Sequence, residues 1–195
     1  MLDINFLINK GANIKIFDPK EIIYTEGTEC IYYHQLVTGR VVWGNSNEEG
    51  KEFIQKIIEP GEFFGELPLF DDGVYAADAI AIKTSEVIRL PKSIFLEILR
   101  ENPQIHFQFS RVLAQRLRFD FRLLKSFAFE NPEERILTLL SYFKCQQKSK
   151  KPMQVMLTRQ QIANMTGLRV ETVIRAILAL HEKGELNIIQ GKVYI

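Results

Sequence analysis

Seven glycines, at 27, 39, 44, 50, 61, 65 and 73, cut residues 13 to 91 into short segments rich in Ile, Val, Tyr and Phe, and this spacing limits the fold of the region more than any other feature. A helix that met glycine every few residues would lose stability at each one, whereas short strands use glycine as their turn residue. Stretches such as "CIYYHQLV" and "EFIQKII" have the length and residue types of strands, so the spacing predicts an all-β roll or barrel. "SNEEGKEF" reads as a hairpin tip, polar and acidic with a glycine ahead of the next strand.

After Pro91 the texture changes. "KSIFLEILREN" has helical apolar spacing, and Asn102-Pro103 punctuates it before a second helix, predicted from Pro103 to about Phe129 without an internal Gly or Pro. On that helix Phe109, Leu113, Leu117, Phe121, Leu124 and Ala128 recur at steps of three or four, while Val112, Phe119, Leu123 and Phe127 lie off the line. A helix apolar on more than one face has more to cover than one neighbour supplies, so Phe109, Leu113, Leu117, Phe121 and Leu124 are expected to form a seam with a second copy. The alternative is packing within the chain. "NPEERILTLLSYF" predicts a further helix from Pro132, and "CQQKSKKP" a polar linker after it.

Charge divides along the same line. From Lys144 onward nine Lys/Arg face three acids, a balance of +6, whereas residues 1 to 143 carry −5 within an overall +1. A basic module that meets a polyanion, attached to an acidic module with another task, is the physical reading of such asymmetry. Hydrophobic residues make up 46% and charged ones 25%, and no apolar run approaches the roughly 18 residues of a membrane span. "MLDINFLINKG" resembles neither a signal nor a transit peptide, so a cytoplasmic location is expected. Cys30 and Cys145 are too few for a disulfide framework and lie in no metal-ligand spacing. No Ser/His/Asp, paired-carboxylate or metal-ligand constellation speaks for an enzyme.

Two helices and a tight turn are legible in "LTRQQIANMTGLRVETVIRAILALHEKGEL". Thr158 and Gln161 predict a capping box, Gly167 the turn, and Gly184 the end of the second helix. Val173, Ile177 and Leu180 share one face of that helix, and Glu171 and Arg175 lie together on the other. The pair could be an ordinary surface bridge. As a recognition helix in a major groove, however, Arg175 would donate to guanine O6 and N7 while Glu171 accepts from cytosine N4. "ELNIIQGKVYI" adds two alternating strands about Gln190-Gly191, a wing with Lys192 aimed at phosphate.

In these motifs the chain resembles the Crp/Fnr family, typified by the catabolite activator protein and the fumarate and nitrate reduction regulator. "EEGKEF", "PGEFFGELPLFDDG", "RENP", "PEERILTLL" and "TGLRVETVIRAILAL" follow in the family's order and spacing over nearly the whole chain. The resemblance implies an α+β architecture: a cyclic-nucleotide-binding-type β-roll (jelly roll) over 1–101, a dimerisation helix over 102–130, and a winged helix-turn-helix over 131–195. It further implies a homodimeric regulator of palindromic DNA that also meets RNA polymerase. By that resemblance Thr158, Arg159, Gln160, Arg169, Val170, Glu171, Thr172, Arg175 and Lys192 face DNA. The family's E-[ST]-x-x-R is met by Glu171, Thr172 and Arg175, and Val170 looks like the fumarate and nitrate type, which implies a TGA-like half-site core with thymine opposite Val170. Ile174 stands where small residues are common.

For the effector pocket the resemblance implies Phe64, Gly65, Glu66, Leu67, Ala76, Ala77, Arg116, Asp120 and Phe121. Glu66 matches the family's ribose-binding acid, with turn capping as its structural alternative. Cyclic-nucleotide members carry Arg-Ser or Arg-Thr where this chain has Ala76 and Ala77, so the phosphate would lose its cation and hydroxyl. Arg116 matches a residue that can approach the phosphate. Asp120 and Phe121 replace the threonine and serine that meet adenine. The expectation is therefore a different effector, a small acid or aromatic, or none, with cyclic AMP as the alternative. A regulatory module without DNA contact is the other alternative. An iron–sulfur cluster needs four cysteines, and His34, His106 and His181 stand isolated, which argues against haem.

Overall fold

The computed structural model describes residues 2–146 and 152–195; residues 147–151, the centre of the expected polar linker, lie outside the described residues. In chain order the elements are α1 (Ile4–Asn9), β1 (Asn13–Phe17), β2 (Ile22–Tyr24), β3 (Tyr32–Thr38), β4 (Val41–Ser46), β5 (Glu52–Ile58), β6 (Phe63–Phe64), α2 (Leu67–Asp71), β7 (Asp78–Ala81) and β8 (Ser85–Pro91). They continue with α3 (Lys92–Glu101), α4 (Pro103–Phe129), α5 (Pro132–Gln146), α6 (Arg159–Thr166), α7 (Val170–Glu182), β9 (Asn187–Ile189) and β10 (Lys192–Tyr194). The chain forms two compact units, Met1–Phe109 and Ser110–Ile195.

The first unit is the expected β-roll. Its eight strands make two antiparallel sheets, ordered β1-β8-β3-β6 and β2-β7-β4-β5. β3 has four consecutive buried residues, Tyr33 to Leu36, because both of its faces are covered. Leu36 aligns with Val87 on the inner face, while Tyr33 stacks on Phe95 of α3 at 4.6 Å on the outer one. Tyr33 and Gln35 are paired: Tyr33 Oη donates to Gln35 Oε1 at 2.6 Å, and Gln35 Nε2 to the Leu2 carbonyl at 3.0 Å. The tip between β4 and β5 closes through Asn47, which accepts from the Gly50 and Lys51 amides.

Phe109 corrects the expected seam. Its ring is 3% exposed and packs on Phe63, Phe95 and Tyr33, so the first turns of α4 belong to the core of the roll. A heptad-like spacing cannot distinguish a residue that meets its own domain from one that meets a copy.

In the second unit the face of α4 that lay off the seam is covered from within the chain. Phe119 stacks on Tyr142 of α5 at 3.4 Å, and Phe119 and Leu123 are each 7% exposed. Leu117, Phe121 and Leu124 stay 55 to 62% exposed, and Leu113 is half-buried. Ile136, Leu139 and Leu140 of α5, Ile162 and Met165 of α6, and Val173, Ile177 and Leu180 of α7 make the core. Arg135 ties the bundle together, donating to the Thr166 and Phe127 carbonyls while lying over the Phe127 ring. The wing contains one segment more than expected: Met153 and Val155 bond to Ile195 and Val193, lining Gln154 up against Tyr194 of β10.

Candidate nucleic-acid interface and sensor pocket

The helix-turn-helix is built by local chemistry. Thr158 Oγ1 accepts from the Gln161 amide at 3.0 Å, and Gln161 Oε1 accepts from the Thr158 amide at 2.9 Å, a complete capping box at the start of α6. Gly167, at φ +67°, ends α6 in the left-handed region that an L side chain resists. Thr166 Oγ1 turns inward to the Ile162 carbonyl at 2.6 Å. Arg169 is the N-cap of α7 and makes no side-chain capping bond.

Amphipathic spacing fixes the orientation of α7. Val173, Ala176, Ile177 and Leu180 are 0 to 6% exposed, which turns Glu171, Ile174, Arg175 and Leu178 outward. Among the described residues no ion pair joins Glu171 to Arg175, so the bland surface bridge is not formed and the guanidinium remains available to a base edge. Val170 and Thr172 are half-buried at the start of the helix, and Arg169 is exposed beside them. Gln160 is exposed and donates to Asn164 at 2.8 Å. Arg159 is partly buried, which lowers its guanidinium pKa by desolvation. Lys192 is exposed at the wing turn, where Gln190 and Gly191 both take positive φ. Lys183 pairs with Glu133, which holds the end of α7 to α5 and raises the lysine pKa.

Inside the roll the site differs from what residue matching implies. Tyr24 and Tyr75 stack face to face, centroids 3.7 Å apart and planes at 9°. His34 and Phe64 complete the cluster at 5.3 and 6.0 Å from Tyr24, and all four side chains are at most 8% exposed. Tyr75 reaches Tyr24 because its loop is laced to the 25–28 turn, the Gly27 amide bonding to Tyr75 O at 2.8 Å and the Tyr75 amide to Thr28 O at 3.0 Å. Gly65, at φ +68°, lets the backbone pass over the Tyr24 phenol: a Cβ there would lie 2.5 Å from Tyr24 Oη.

Burial, reinforced by Arg89, lowers the His34 pKa to about 3, so its imidazole is neutral. Burial beside Cys30 holds the Tyr75 phenol well above its usual range. Lys92 of α3 donates to the Pro68 carbonyl at 2.6 Å and to Asp72 at 2.7 Å, bracing α2, and thereby lowers the Asp72 pKa.

Of the matched pocket residues, Phe64, Gly65, Glu66 and Ala77 are each buried. Leu67 and Ala76 are corrected: Leu67 is 42% exposed, and Ala76 lies at the surface with its carbonyl accepting from Asn45 at 2.9 Å. Glu66 occupies the N-cap position of α2 without a side-chain capping bond, so turn capping does not account for it. Arg116 is half-buried and Asp120 and Phe121 are exposed on α4 in the other unit. Sequence reasoning missed Tyr24, His34 and Tyr75. Long-range backbone bonds between the 25–28 turn and the loop that carries Tyr75 bring positions 24 and 75 together, and no local spacing carried that signal.

A double-sheet roll and a winged helix-turn-helix in one chain define a DNA-binding regulator with a sensor domain. Residues 14–102 match the family described as cyclic nucleotide-binding domain, and residues 134–195 the Crp-like helix-turn-helix domain. The cAMP-activated global transcriptional regulator CRP of Pasteurella multocida is 34% identical over 174 residues, spanning 87% of this chain and 82% of that protein. The chain belongs to the Crp/Fnr family of transcription regulators. Among solved structures, FixK2 from Bradyrhizobium japonicum superposes with a TM-score of 0.78 at 24% identity, over 94% of this chain and 92% of that one. CLP, the c-di-GMP responsive global regulator of Xanthomonas campestris, gives 0.76 at 17% identity over 98% of both.

Proposed function

We propose that this regulator acts as a cytoplasmic homodimer on palindromic DNA with a TGA-like half-site core, and that cyclic AMP is not its effector. The stacked Tyr24–Tyr75 pair supports the second part: its buried rings take up space beside Gly65, in the turn that the family resemblance matches to the nucleotide site. Ala77 supplies neither a hydroxyl nor a cation there, and a buried phosphate short of its cation loses on the order of 2 to 5 kcal/mol. The relatives named above are called cAMP-activated in one case and c-di-GMP responsive in another, so the effector varies while the fold does not.

In this reading residues 1–101 sense, 102–130 pair two copies through Leu113, Leu117, Phe121 and Leu124, and 131–195 bind DNA. The exposed apolar stripe on α4 supports the pairing. Arg175 donates to guanine, Glu171 accepts from cytosine, Val170 faces thymine, and Arg159, Gln160, Arg169, Thr172 and Lys192 position the backbone. Thr158 contributes chiefly by capping α6. RNA polymerase is the proposed further partner.

Selection from a random-sequence pool tests the DNA reading. The expected product is a palindrome whose half-sites lie one helical turn, roughly 34 Å, apart, bound with steep salt dependence. Arg175→Ala then weakens it by about 1 to 3 kcal/mol and flattens preference at one G·C pair. Recovery of no palindrome at low salt overturns the reading and favours a module without DNA contact. The 34% identity to a cAMP-activated protein favours a cyclic-AMP-responsive alternative. Calorimetric titration separates the two, because micromolar binding of cyclic AMP contradicts a filled roll.

A further inference from the structure

Two of the large apolar side chains on α7 are not in the core. Ile174 is 44% and Leu178 49% exposed, while Val173, Ala176, Ile177 and Leu180 on the same helix are at most 6% exposed. At 100° per residue Leu178 projects between Ile174 and Arg175, almost in line with Glu171, so Leu178 lies in the middle of the polar face and Ile174 about 40° to one side of it. Isolated exposed apolar residues are ordinary on a folded surface. Two of them one turn apart, flanked by Glu171, Arg175 and the exposed Arg169, form a short apolar strip set among groups that suit a nucleic acid.

The major groove offers one apolar feature to such a strip, the C5 methyl of thymine. We propose that Ile174 reads a thymine of the half-site by covering this methyl, with Leu178 extending the contact. The inference rests on the reading that α7 enters the major groove. The rise between residues 174 and 178 is about 6 Å, close to two base steps of roughly 3.4 Å, so the strip can follow neighbouring bases of one strand. Arg175 and Glu171 then read hydrogen-bonding edges while Ile174 reads shape, and a purine or cytosine at that position leaves the side chain without a partner.

The test uses the full-length protein and the operator recovered by selection. Each thymine is replaced singly by uracil, which keeps every hydrogen-bonding group and removes only the methyl. One thymine per half-site is expected to show a three- to five-fold loss, on the order expected for burying a single methyl group. In Ile174→Ala that uracil penalty disappears, while Ile174→Val retains it; position 174 is solvent-facing, so the domain keeps its fold in both variants. An equal penalty in wild type and Ile174→Ala, or no penalty at any thymine, overturns the inference. If a specific operator is bound and lost on Arg175→Ala but shows no methyl dependence, this inference alone fails. If no specific operator is recovered, the DNA reading fails with it.

Discussion

Tyr75→Ala tests whether the roll is filled. The Tyr75 side chain is 3% exposed, with one face flat against Tyr24 at 3.7 Å. Truncating a buried aromatic to alanine costs about 3 to 5 kcal/mol, and the lower half applies here because residues on the exposed loop around 71–76 can partly collapse into the gap. For a domain of this size about 3 to 4 kcal/mol lowers the midpoint of thermal unfolding by roughly 15 to 30 °C. The vacated space is flat and bounded by Tyr24, so phenol should enter it. At ten times its dissociation constant phenol returns about 1.4 kcal/mol, roughly 6 to 11 °C, and wild type should gain nothing. Scanning calorimetry with and without phenol reads both effects. A variant melting within about 5 °C of wild type, with no response to phenol, would show that the ring is not packed inside the roll, and the argument against cyclic AMP would lose its main support.

The pH dependence of folding carries the mark of His34. Its folded pKa of about 3 lies below the ordinary 6.5, so below pH 6.5 the unfolded chain binds a proton that the folded one refuses, and stability falls as pH falls from 6.5 toward 3. The slope approaches about 1.4 kcal/mol per pH unit. Urea midpoints of His34→Gln between pH 7 and 5 should lack this component, and parallel curves for the two proteins would refute it. Thr158→Ala removes half of the capping box and should destabilise the DNA-binding unit by about 1 kcal/mol, with Thr158→Ser restoring it; an unchanged thermal midpoint contradicts the cap's role. Leu117→Glu with Leu124→Glu places charge on the exposed stripe of α4 and should give a folded monomer in sedimentation that no longer retains palindromic DNA. A dimer in that variant would move the interface elsewhere.

What could be read ahead of the fold was whatever local chemistry fixes. The α4 helix from Pro103 to Phe129, the Thr158–Gln161 box, the Gly167 turn and the Gln190-Gly191 hairpin each depend on residues within a few positions of one another. The outward face of α7 followed from spacing alone, since a helix buries one stripe and leaves the other. The family motifs identified the remaining architecture. Phe109 had the right period for a seam and the wrong partner, because period reports which residues share a face and is silent about what covers it. Met153–Val155 joined the wing through backbone bonds to residues some 40 positions away, which no local propensity encodes. The same holds for the sensor site. By itself the sequence determined that alanines, Ala76 and Ala77, stand at the two positions where the family resemblance puts an arginine and a hydroxyl residue. Tertiary structure alone decided that Tyr24, His34, Phe64 and Tyr75 share one buried cluster, because backbone pairing between distant segments brings them together, and the hydrophobic effect that holds them there acts through contacts made only when the two sheets close.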